Sequence, residues 1–132
     1  MTAKEVLELY QKTALDCLDK WLVGGYAIRF EMALSKQLAG KYASVTYNTI
    51  ERWAFFRILK GRAWTPYEVI YTAYHEAAHL VLALLADLAR SRFVLGREID
   101  EQCEAFANRF AQFHMGLLAK PKSKTKNARK RK

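Results

Sequence analysis

The sequence predicts an α+β domain, and three observations carry that expectation. Helix-start signals stand at Thr2 and at Thr65, and the segments 42–48 (YASVTYN) and 52–60 (RWAFFRILK) between them are rich in aromatic and β-branched residues. Hydrophobic residues make up 52% of the 132 positions, enough for one core and too many for a largely disordered chain.

Thr2 followed by Glu5 has capping-box spacing, and Val6, Leu7, Tyr10, Ala14, Leu18, Trp21 and Leu22 recur near the helical period, so a first helix runs to about Gly24-Gly25. Residues 26–39 carry Ile28, Met32, Leu34 and Leu38 before Gly40 and predict a second helix, with a strand over Tyr26–Phe30 as the alternative. Asn48 offers a turn between the two β-rich segments, which predicts a short antiparallel hairpin or meander. Thr65-Pro66-Tyr67-Glu68 combines an N-cap threonine, a proline at the first helical position and a glutamate that completes the box. A long helix should run from there to about Arg92, with Arg90 and Arg92 at its cation-favouring end. A further helix is expected from about Arg97 to Leu118, limited by Pro121.

The net charge of +9 is unevenly placed. Eight of the 22 basic residues lie in the last thirteen positions, which leaves 14 basic against 13 acidic side chains in residues 1–119. The expectation is one domain over 1–119 and a disordered basic tail over 120–132. Lys120, Lys122, Lys124, Lys126, Arg129, Lys130, Arg131 and Lys132 would bind phosphates without sequence preference, making nucleic acid a candidate partner, with a solubilising tail as the alternative. Cys17 and Cys103 are too few for a disulfide framework and neither has metal-ligand spacing, which fits a reducing compartment. The first ten residues lack the pattern of a secretory signal, and the apolar run Val69–Ala89 is interrupted by His75, Glu76, His79 and Asp87. A cytoplasmic protein with no membrane span is expected.

That interruption is informative. His75-Glu76-Ala77-Ala78-His79 matches H-E-x-x-H, and on the helix started at Thr65 two imidazoles four positions apart lie on one face. Such a pair can share one zinc ion, with Glu76 beside it activating a zinc-bound water as general base. The bland reading makes both histidines hydrogen-bonded core residues and Glu76 a solvated one, but imidazoles among Leu80, Val81, Leu84 and Leu85 need polar partners. A third ligand must come from elsewhere, and Asp100, Glu101, Glu104 and His114 are the candidates.

Glu104-Ala105-Phe106-Ala107-Asn108-Arg109-Phe110-Ala111, 25 residues after His79, resembles the helix that supplies the third ligand in the gluzincin-type metallopeptidases of the ImmA/IrrE group. The resemblance covers about residues 65–118, and it implies a small zincin-like α+β fold with a short antiparallel sheet packed on the metal-binding helix. It also implies Glu104 as third ligand, one Zn2+, and a protein or peptide as substrate. Asn108, one turn beyond, would orient Glu104, and Asp100 lies one turn before. The chain departs from that group at Ala78, where a glycine is usual, and lacks its leucine-proline ending. The segment Phe30-Glu31-Met32-Ala33-Leu34 with Leu38, Gly40 and Tyr42 resembles SprT-like proteases, which cut DNA-bound proteins and use a third histidine, here His114. A packed or supporting role suits His114 better, and it joins Tyr42, Tyr47, Tyr71 and Tyr74 among possible oxyanion donors. RWAFFRILK is expected either as an edge strand for an extended peptide or as a basic-aromatic surface for single-stranded nucleic acid, against the plainer expectation of a strand with one buried face.

The expected function is therefore a zinc metalloendopeptidase, with DNA-bound proteins among its candidate targets. The alternative from another class is a non-catalytic nucleic-acid-associated protein with a structural or vestigial metal site.

Overall fold

The computed structural model describes residues 1–21, 23–90 and 96–118. The expected tail over Lys120–Lys132, and the expected end of the long helix at Arg92, lie outside these described residues. The order of elements is α1 (Ala3–Lys20), β1 (Ala27–Ala33), a single 3-10 turn (Ser35–Leu38), β2 (Ala43–Asn48), β3 (Trp53–Leu59), α2 (Pro66–Arg90) and α3 (Gly96–Leu118). The domain is α+β, with a small three-stranded sheet and packed helices.

Both helix starts are closed by reciprocal caps. Thr2 donates its amide to Glu5 Oε2 at 2.6 Å and Glu5 returns its amide to Thr2 Oγ1 at 3.2 Å, which satisfies donors the first turn of α1 leaves orphaned. The same box opens α2, where the amide of Thr65 reaches Glu68 Oε2 at 2.9 Å and the amide of Glu68 reaches Thr65 Oγ1 at 3.3 Å. Arg62 Nη2 adds an ion pair to the other oxygen of Glu68 at 2.8 Å.

Residues 27–33 form a strand rather than part of a helix. Ile28 and Met32, four apart, satisfy a helical spacing and a two-residue alternation equally. Phe30 decides between them, because all three side chains pack against the core from one strand face. Lys36 and Leu38 belong to the 3-10 turn, which carries the chain to the far edge of the sheet. The strand order is β1-β3-β2, with β1 parallel to β3 and β2 antiparallel to it, so the sheet is mixed and not purely antiparallel.

RWAFFRILK therefore supplies the central strand, and the free edge beside α2 is β2. Alternation along β3 buries Ala54, Phe56 and Ile58, each large side chain contributing about 1.5–3 kcal/mol. Tyr10 of α1 meets Phe56 edge-on at 6.2 Å and Phe30 at 6.0 Å. The three arginines of this region are engaged within the chain: Arg57 pairs with Glu31 at 3.0 Å, Arg62 with Glu68, and Arg52 donates to the carbonyl of Gly24 at 2.8 Å. Ala73, Ala77, Ala78 and Ala83 of α2, with Ala107 and Ala111 of α3, are buried, and their small side chains let the helices approach closely. No helix among the described residues is long and apolar enough to cross a membrane.

Candidate metal centre

The cap at Thr65 sets the phase of α2, and that phase turns His75, Glu76 and His79 toward the gap between β2 and α3. His75 Nε2 and His79 Nε2 face each other at 3.2 Å. Glu104 arrives from α3 with Oε2 at 3.2 Å from His75 Nε2 and Oε1 at 3.0 Å from His79 Nε2. No other set of three His, Cys, Asp or Glu side chains converges in this way among the described residues.

These distances test whether the three side chains suit a metal ion. Donors about 2.0–2.1 Å from a tetrahedral zinc lie about 3.3 Å from one another. The observed separations of 3.0–3.2 Å are close to that value. Two ring nitrogens aimed at one point also crowd each other unless something between them accepts both lone pairs. Two imidazoles and one carboxylate form a donor set that zinc accepts, so the residues fit.

Glu76 points to the same cleft but is 8% exposed. Burial pushes its carboxyl up to about 8, the neighbouring Glu104 charge adds to the rise, and Lys41 and the Val45 amide oppose it. His79 is held below its ordinary value mainly by burial, with the Glu104 charge acting the other way. The Val45 amide acts on Glu76 from the outer edge of β2. That direction follows from the ladder: Leu59 donates to Tyr42 O, so even-numbered residues of β2 bond to β3 while Ala43, Val45 and Tyr47 turn their main-chain groups outward.

The cleft has a volume of about 1310 Å³, and β2 forms one wall while α2 and α3 form the other. Tyr42, Tyr47 and Tyr71 line it, whereas Tyr74 turns away to stack on His114 at 4.8 Å. Asn108 also lines the cleft and receives the Tyr71 hydroxyl on Oδ1 at 3.4 Å, a bond that ties α2 to α3 one turn beyond Glu104. Asp100 accepts from Arg90 Nη2 at 2.7 Å, so its charge is neutralised within the chain. Glu101 is similarly paired with Arg97 at 3.0 Å.

His114 does not join the cluster. It is buried against Tyr74 and Phe110, and its Nε2 accepts the indole N–H of Trp21 at 3.1 Å. That removes it both as third ligand and as a donor in the cleft. Two participants lack any sequence signal: Lys41, a single lysine after a glycine, and the Val45 amide, which no side-chain pattern announces. Scans against models of protein families, against curated proteins and against solved structures each return no match.

Proposed function

We propose that this chain is a zinc-dependent peptidase, and the observation that supports the reading best is the approach of Glu104 to both histidines of H-E-x-x-H beside a buried glutamate. His75, His79 and Glu104 would hold one ion, which when bound supplies Lewis acidity toward a water and a scissile carbonyl. Glu76 would take the proton from the attacking water on a carboxylate oxygen and later give it to the departing amine. The hydroxyls of Tyr42 and Tyr47 line the cleft as candidate donors for the oxygen that gains charge, and Tyr71 would join them by giving up its bond to Asn108. The outward main-chain groups of β2 offer an extended peptide hydrogen bonds along the same cleft. The two cysteines have no disulfide partner, in keeping with a reducing, cytoplasmic setting. The eight cations of residues 120–132 support a weak tether to nucleic acid, and deleting them should abolish retention on DNA at low salt.

The deciding experiment measures zinc content and peptide-library cleavage side by side. Wild-type protein and Glu76→Gln should each retain about one zinc, while cleavage falls by about 10²–10⁴-fold in the variant. His75→Ala and His79→Ala should lose both metal and cleavage. Cleavage by Glu76→Gln at the wild-type rate, or none by the zinc-loaded wild type, overturns the reading.

A further inference from the structure

The other cations of Lys or Arg that line the cleft have partners inside the chain: Arg90 is held by Asp87 and Asp100, and Arg97 is held by Glu101, while Glu104 stands with the two histidines. Lys41 is the exception among these cations: it lines the cleft, is exposed, and forms no ion pair among the described residues. A divalent ion at the histidines would balance the charges of Glu76 and Glu104, leaving the Lys41 ammonium uncompensated.

The fold fixes where that cation sits. Ala39 and Gly40 both take left-handed backbone, with φ of 50° and 79°, and the turn they make ends with the Lys41 amide donating to Leu38 O at 3.0 Å. Lys41 thus precedes β2 at its N-terminal end. Lys41 lines the same cleft as Glu76 and His79, which puts this residue on the site side of the strand.

The direction of β2 then assigns a polarity. Val45 and Glu76 line the same cleft, and Thr49 Oγ1 donates to Asp87 Oδ2 at 2.8 Å further along α2, so strand and helix run the same way. Antiparallel pairing is the more stable mode of strand addition. A peptide added that way to the outer edge of β2 lays its C-terminal part over Ala43 and Lys41 and its N-terminal part toward Tyr47 and Asn48. At that second end the guanidinium of Arg90 is already saturated by acids of the chain.

We propose that Lys41 is a specificity-determining residue that selects peptides carrying a carboxylate on the C-terminal side of the cut bond, from an Asp or Glu side chain or from a free C-terminus. The proposal rests on the peptidase reading and adds to it the charge and the direction of the substrate. The cation acts at equilibrium, in binding, so its effect does not require turnover.

Two pools of N-acetylated random peptides, one with free C-termini and one amidated, test it. Cleavage positions are mapped by mass spectrometry for zinc-loaded wild type, Lys41→Met, Lys41→Glu and Lys41→Arg, with zinc content measured for each. Retention of the uncut pools is measured on Glu76→Gln with and without Lys41→Met. Wild type should favour a carboxylate within about two residues downstream of the cut, the reach of a lysine along a strand, by about fivefold. Lys41→Met should erase the preference at unchanged zinc content, Lys41→Glu should turn it toward Lys and Arg, and Lys41→Arg should keep it. A preference confined to the free-acid pool assigns the C-terminus as the carboxylate, and one shared by both pools assigns side chains. Cleavage whose preference is the same in all four proteins overturns the role of Lys41 alone. Failure of every pool to be retained or cut overturns this inference and the peptidase reading together.

Discussion

The main-chain amide of Val45 acts on the buried carboxyl of Glu76 and lowers its pKa, so the outer strand reaches the second residue of H-E-x-x-H. Val45 pairs with Phe56 at a position where its own N–H faces away from β3, and replacing it by proline removes the donor without breaking the ladder. Val45→Pro should raise the Glu76 pKa further and cost stability on the order of 1 kcal/mol, because the buried carboxyl loses that amide. Turnover should fall by about tenfold while zinc content stays at the wild-type level. Denaturant unfolding and metal analysis on the same sample check this, and unaltered turnover would show that Glu76 does not depend on the strand for its position.

Glu104 is more exposed than the histidines it approaches, its side chain keeping 54% of its accessible surface against 15% for His75 and 18% for His79. A surface glutamate on an amphipathic helix would tolerate amidation. A ligand would not, because the neutral carboxamide loses the charge that two imidazoles cannot supply. Glu104→Gln should weaken zinc binding by more than about a hundredfold, beyond the 10- to 100-fold typical of residues that only support a ligand. Competition with a chromophoric chelator measures it, and an affinity within a few-fold of wild type would return Glu104 to the solvated surface.

Metal binding should also appear as stability, since the three ligands come from two helices that only the folded chain brings together. At a free zinc concentration one hundred times the dissociation constant the gain is about 2.7 kcal/mol, which for a domain of this size raises Tm by about 10 °C. Chelation should reverse the shift, and His75→Ala should show none. A wild-type Tm indifferent to both zinc and chelator would contradict the centre.

How much of this was legible in the sequence follows from the range of each signal. The cap at Thr65 and the spacing of His75 and His79 are local, within one helix, and composition alone exposes them. Glu104 lies 25 residues beyond His79 in a helix that also offers Asp100 and Glu101, and only a resemblance separated it from them. Residues 27–33 misled because Ile28 and Met32 fit two periods at once, and the parallel pairing that resolves them involves β3, more than twenty residues away. The centre of the sheet went to RWAFFRILK for the same reason: which strand keeps a free edge is set by order in space. Lys41 and the Val45 amide matter through that order, and neither belongs to a motif.

His114 offers a pH test independent of the metal. Its Nε2 accepts from Trp21 Nε1 at 3.1 Å, so in the folded protein that nitrogen carries no proton. Burial holds its pKa below the ordinary 6.5, and the charge of Lys20 adds to the depression. Protonation would place a hydrogen against the indole N–H and break the bond. Below about pH 6.5 the unfolded chain then binds more protons than the folded one, so this histidine contributes stability that is complete above that value and is lost as pH falls. In chelator His79 acts in the same sense, because its value is depressed as well, whereas Glu76, pushed up to about 8, gains stability as pH falls, so the signal of His114 is read as a difference between about pH 7.5 and 5.5. His114→Gln keeps an acceptor for the indole and cannot titrate, so its Tm should start somewhat below that of wild type and the gap should close as pH falls. The difference between the two curves isolates His114; parallel curves across the whole range would mean that its protonation does not disturb the Trp21 contact.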